Sequence, residues 1–157
     1  MKMKNIIRKV LCWPLFLGAL IALVVHALWG ASKRWENAVL VTVLSDKSWP
    51  MRSWYKGWGG TCFGYGIMLA PDQAPAVLAH ELHHVEQNEA ASIGGLILGL
   101  VVMVLTRSWE GFGSLFFLWF ATPRFAYIGA MVAAWLRGEN PYRGNHLEEG
   151  AYDATKG

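Results

Sequence analysis

Three long stretches with few or no charges set the terms for this 157-residue chain. Residues 10–31 carry no Asp, Glu, Lys or Arg for 22 positions, residues 90–106 none for 17, and residues 112–136 are apolar except around Thr122-Pro123-Arg124. About 20 apolar residues in a helix cross the roughly 30 Å of hydrocarbon in a bilayer, so the first run is long enough to span and the second is short but within range. The third reads either as a span kinked at Pro123 or as two shorter helices on the membrane surface, and we take it as the kinked span. These runs predict a mainly α membrane protein with about three transmembrane or membrane-associated segments and a small β element.

Composition points the same way. Only 16% of residues are charged, where a soluble domain carries about 25%. Apolar residues make up 54%, with 9 Trp, 5 Tyr and 7 Phe, so the excess apolar surface calls for lipid. The net charge of +3 is spread along the chain without the dense basic stripe that phosphate neutralisation needs, which excludes nucleic acid as the expected partner. Cys12 and Cys62 form neither a disulfide framework nor a CxxC knuckle.

The basic start and apolar run also fit a cleavable signal peptide, but the run is longer than a usual signal core. We therefore read residues 1–31 as a membrane anchor, and 32–157 as one domain with a membrane hairpin inserted at about 90–136. Between them, 33–72 read as the water-soluble part. The β-branched residues of 39–44 predict a strand. Five glycines within 56–66, followed by Ile67-Met68-Leu69, predict a glycine-rich loop or twisted edge strand ended by Pro71. Asp72 offers an N-cap with Pro75 in the first turn, and the helix that follows covers 76–89 and can continue through 90–106. Gly95 and Gly99, four apart, suit close packing of helix backbones. The segment 107–111 is a polar tip, and the tail from Arg137 has Gly138 and Pro141 as breakers before a short helix over 147–154.

Within the expected helix, residues 80–84 read His-Glu-Leu-His-His, an H-E-x-x-H pattern. Four residues are just over one α-helical turn, so His80 and His84 project from one face and can present two imidazole nitrogens to a single Zn²⁺. Glu81 lies about 100° round the helix, where it can deprotonate a water without occupying the metal. A catalytic zinc needs a third protein ligand and an open fourth position.

The tail supplies the third candidate. Residues 145–153 read Asn-His-Leu-Glu-Glu-Gly-Ala-Tyr-Asp. With them the chain resembles gluzincin-type zinc metallopeptidases, in which H-E-x-x-H is followed by a glutamate on a second helix. His80 to Gln87 is similar to the H-E-L-x-H-V-x-Q of small bacterial and phage proteins, whose second motif is N-P-x-E-x-x-A-Y. Asn145 to Tyr152 matches that motif with His146 in place of proline. The order of metal helix, two apolar segments and E-x-x-A also resembles the HtpX-type membrane metalloproteases and the CAAX prenyl proteases, which usually carry E-x-x-A-D where this chain has Tyr152. The resemblance covers roughly residues 60–90 and 137–154. It implies a gluzincin-like metal helix plus a C-terminal glutamate helix, zinc at His80, His84 and Glu148, and Glu81 as general base acting on a zinc-bound water to hydrolyse peptide bonds. Its implied setting is a membrane, bacterial or phage-encoded, with a peptide or protein substrate and lipid as partners.

Other residues carry weaker expectations. Glu149 rivals Glu148, because Glu149 and Asp153 reproduce an E-x-x-x-D spacing. Tyr152 is a candidate oxyanion donor or a packing aromatic, and His146 a fourth ligand or an incidental loop residue. A fourth ligand would make the site a structural clamp without turnover, the alternative to a peptidase. His83 reads as a packing or supporting residue, Glu86 and Glu89 as a solvated face, and Trp29, Trp35, Trp109 and Trp135 as interfacial anchors. Residues 63–69 are the candidate strand for aligning substrate. Ligands at 84 and 148 meet only if the chain between them crosses the membrane an even number of times, which two apolar runs allow.

Overall fold

The computed structural model describes residues 3–49, 51, 59–73 and 75–153. Most of them are helical. The chain divides into two compact units, one of residues 15–85 with the C-terminal residues from 151, the other of residues 1–14 with 86–150.

The first unit is built on a four-stranded sheet. Strands β1 (Gly30–Glu36), β2 (Val39–Leu44), β3 (Gly60–Phe63) and β4 (Gly66–Leu69) lie in the order β1-β2-β4-β3. A two-residue turn joins β1 to β2, with Asn37 and Ala38 both at positive φ (49° and 67°), the geometry whose twist matches an antiparallel hairpin. Strand β4 pairs parallel to β2 on one side and antiparallel to β3 on the other. That central place explains its unbroken run of buried residues, since both faces and both edges are covered. The expected strand at 39–44 is present as β2. The 63–69 segment differs from expectation: it contains the end of β3, a turn, and an interior strand that has no open edge.

Helices α1 (Met3–Leu11) and α2 (Phe16–Trp29) divide the N-terminal apolar run that the sequence suggested as one span. A short 3₁₀ turn, Trp13–Leu15, separates them at Pro14, whose missing N–H and fixed φ interrupt helix propagation. At 14 residues α2 is about 21 Å long, short of the hydrocarbon thickness. It lies on the sheet: a side-chain carbon at Gly18 would sit 1.4 Å from the Phe63 carbonyl oxygen, and Thr42 Oγ1 donates to Ala22 O at 3.3 Å. The Tyr65 amide donates to Leu15 O at 2.9 Å while Phe16 packs edge-on against the Tyr65 ring.

Helix α3 (Pro75–Thr106) runs unbroken for 32 residues, so the metal-motif helix and the second apolar run are one element that passes from the first unit into the second. Pro75 opens it, where no intrahelical donor is needed. Asp72 is not its cap: it sits three residues earlier in a turn at φ 54°.

In the second unit, the later part of α3 packs on α4 (Trp109–Leu136) as an antiparallel hairpin. Side-chain carbons added at Gly95 would meet Leu118 O at 2.4 Å and Thr122, and at Gly99 would meet Leu115, pairings whose residue numbers fall on one helix as they rise on the other. Ser108 caps α4 by accepting from the Gly111 amide at 3.3 Å. Pro123 lies inside α4, which is a single helix rather than two surface pieces. Its ring leaves Trp119 O without the usual amide donor, and Ser92 Oγ of α3 donates to that oxygen at 3.3 Å. Thr122 and Arg124 donate to the neighbouring carbonyls of Leu118 and Phe120 at 2.5 and 2.7 Å.

Both long helices have the length and apolarity to cross a membrane, and only 22% of the most apolar window of each is buried within the chain. Leu98, Val101, Leu105, Phe117, Phe125 and Ile128 are among the exposed side chains. Glu89 corrects the expectation of a solvated face. It is only 3% exposed and pairs with Arg8 and Lys9 of α1, both at 2.5 Å, while Glu86 is exposed.

Candidate metal centre

Helix α3 carries the H-E-x-x-H residues in its first three turns. His80 and Glu81 are 8% and 6% exposed, and Val85 packs below them on the buried side. One helical turn brings the Nε2 atoms of His80 and His84 to 3.2 Å, with ring planes at 88°. Glu81 reaches toward the outer strand of the sheet. A side-chain carbon at Gly60 would lie 3.1 Å from Glu81 Oε1, so glycine at the start of β3 leaves room for the carboxylate.

The carboxylate partner comes from helix α5 (His146–Asp153). Asn145, fully buried, starts that helix: its Oδ1 accepts from the Leu147 amide at 2.9 Å, and its carbonyl accepts from Glu148 and Glu149. Gln87 of α3 donates through Nε2 to Leu147 O at 2.8 Å. The connection from α4 is shaped by Arg137, which makes a two-point hydrogen bond to Glu139 (3.1 and 2.7 Å) and reaches Gly144 O at 2.9 Å. That guanidinium holds the Glu139 carboxyl below its ordinary range, and the carboxylate in turn raises Arg137. Asn140 Oδ1 accepts from the amides of Tyr142 and Arg143, closing the turn before α5.

Glu148 is 2% exposed, and Tyr127 OH of α4 donates to its Oε1 at 2.7 Å. Each of His80, His84 and Glu148 offers one ligand atom within 4.8 Å of the other two, a group that can hold a metal ion. The fit is chemically sound. Zinc bonds of 2.0–2.1 Å at tetrahedral angles separate neighbouring donor atoms by about 3.3 Å, close to the observed imidazole spacing. Two nitrogens and one carboxylate oxygen also make a donor set suited to zinc.

Of the remaining sequence candidates, Glu149 and His146 are exposed and stand outside this group, as does His83. Adjacent helix residues point about 100° apart, so when Glu148 faces inward Glu149 must face out. Tyr152 lies beside the His80 ring, with the ring centroids 4.6 Å apart, and remains 46% exposed. Sequence reasoning missed Tyr127, a tyrosine inside an apolar run with no local pattern to mark it.

Comparison with protein families, with curated proteins and with solved structures gives no match to this chain.

Proposed function

We propose that the protein is a membrane-anchored zinc-dependent peptidase, with His80, His84 and Glu148 as metal ligands. The observation that carries this reading is the convergence of those three side chains, with Glu81 buried on the same helix as the two histidines. Zinc held there would supply Lewis-acid polarisation of a peptide carbonyl and make water acidic enough to be deprotonated near neutral pH.

The chain's own residues account for the rest. Glu81 takes the proton from water and returns it to the leaving amine, the two halves of general base and general acid catalysis. Strand β3 is one of the two outer strands of the sheet and begins at Gly60, against Glu81. An extended substrate adds along that edge, its backbone hydrogen-bonded to β3 and its scissile bond brought to the carboxylate. Tyr152, exposed at the side of His80, donates from its hydroxyl to the oxyanion that develops. The uncovered apolar faces of α3 and α4, both long and apolar enough to cross a bilayer, support a membrane location for the enzyme.

Three protein donors in the group, with His146 outside it among the described residues, favour an open catalytic position over a closed structural clamp. The test is metal content of the detergent-purified full chain. Wild type is expected to hold about one zinc per chain, and His84→Ala and Glu148→Ala to lose it. Glu81→Gln should keep the metal and lose peptide hydrolysis. Wild type that takes up no zinc on reconstitution would end the reading, and Glu81→Gln with full activity would end the assigned base.

A further inference from the structure

Helix α4 buries a narrow face. Pro123, Ala130 and Ala134 are buried at spacings of seven and four, while Phe125, Ile128, Val132, Trp135 and Leu136 are exposed. Tyr127 stands four residues after Pro123 and three before Ala130, in line with this small-residue face. It brings a phenol to that line, and its polar end meets a carboxylate. The phenol oxygen lies 2.7 Å from Glu148 Oε1, a distance for a charge-assisted hydrogen bond.

A carboxylate that is 2% exposed has given up nearly all of its water. It has two oxygens and several acceptor sites, and a metal needs only one of them. The group of His80, His84 and Glu148 is defined by one carboxylate oxygen at a time. A donor fixed on one oxygen therefore sets the rotation of the carboxyl group and leaves the other oxygen to turn toward the imidazoles. Two residues that share this role in backbone terms, Gln87 and Asn145, hold the helix of Glu148 through Leu147. Tyr127 acts on the carboxylate itself.

We infer that Tyr127 is a positioning residue for the metal carboxylate: its hydroxyl fixes the rotamer of Glu148 so that one oxygen is presented to the ion, and it thereby couples the metal centre to the apolar helix α4. This inference rests on the metal reading above. Partners of this kind orient ligands and raise metal affinity about ten- to a hundredfold. The coupling runs through α4, so the hydroxyl that tunes the site sits on an element long and apolar enough to cross a membrane.

The experiment uses the full chain in detergent, titrated with Zn²⁺ and, for a visible spectrum, with Co²⁺. Tyr127→Phe keeps the ring and removes the hydroxyl. It is expected to weaken Zn²⁺ binding ten- to a hundredfold, to change the energy and intensity of the Co²⁺ bands, and to leave the melting temperature of the metal-free protein within about 2 °C. In a Glu148→Gln background the same substitution should add less than a further twofold, because the group through which Tyr127 acts has already been altered. A merely structural tyrosine would give equal losses in both backgrounds, and that result overturns the inference, as does unchanged affinity in Tyr127→Phe. Should Tyr127→Phe not fold, 3-fluorotyrosine placed at 127 preserves the hydroxyl, and its ¹⁹F resonance must shift on Zn²⁺ addition. A silent resonance overturns the proposal. Wild type that binds no metal removes the metal reading and this inference together, whereas wild-type binding with an insensitive Tyr127→Phe removes this inference alone.

Discussion

The two units bury opposite things. In the sheet unit the interior is apolar and close-packed: Leu40, Val41, Leu44, Tyr65 and Ile67 are all within 1% of full burial, and Gly18 is needed because α2 passes directly over the Phe63 carbonyl. In the hairpin unit many of the large apolar residues face outward, and between the helices lie Gly95, Gly99, Leu115, Thr122 and a serine hydroxyl on the carbonyl that Pro123 frees. The first arrangement is what water selects, since burial of apolar surface drives it. The second is built on two helices long and apolar enough to cross a membrane, and in an apolar solvent helices gain nothing by hiding leucine and associate through close backbone contact and a few hydrogen bonds.

That contrast can be broken most easily at the tightest point of the sheet unit. Gly18→Val would drive a side chain into the Phe63 carbonyl, and the expected cost exceeds about 4 kcal/mol, enough to abolish the native circular-dichroism spectrum. A folded Gly18→Val protein would show that α2 does not rest on the sheet as described. In the hairpin, neighbouring glycines separate contact from exposure. Gly95→Leu should cost about 2–3 kcal/mol by wedging α3 from α4, whereas Gly94→Leu, with nothing within 4 Å, should be neutral or better in detergent thermal melts. Equal effects at the two positions would contradict the antiparallel packing. The smallest change is Ser92→Ala, which leaves Trp119 O beside Pro123 without its cross-helix donor; about 0.5–1 kcal/mol is expected in the same melts. A gain in stability there would mean that the proline is accommodated some other way.

Local chemistry was legible in the sequence wherever a repeat or a spacing reported it. The turn of helix between His80 and His84, the β-branched strand at 39–44 and the close-packing glycines 95 and 99 all follow from periods that a chain cannot hide. Glu148 was legible through its motif, with Glu149 excluded only once the direction of each side chain was in view. Long-range pairing was not legible. Glu89 has polar neighbours and so reads as solvated, yet its partners Arg8 and Lys9 come from about 80 residues away. The division of residues 10–31 escaped because hydropathy measures polarity and not direction, and one proline is a small mark in 22 apolar positions. The 63–69 segment reads as a loop or an edge strand because nothing near it in sequence announces its parallel partner, β2, which lies 26 residues earlier in the register Leu40 to Gly66.

Helix α3 has no break between the histidines and the hairpin glycines. His84 and Gly95 are eleven residues apart, three turns with about 20° left over, so one face of a single rod is read at both ends. Its length is therefore a matter of phase. One residue inserted between 85 and 94 would turn the histidines about 100° relative to Gly95 and Gly99 along the helix, while an insertion of seven or eleven residues would restore the phase. A change in the length of α3 therefore acts on both of its ends at once unless it comes in whole helical repeats.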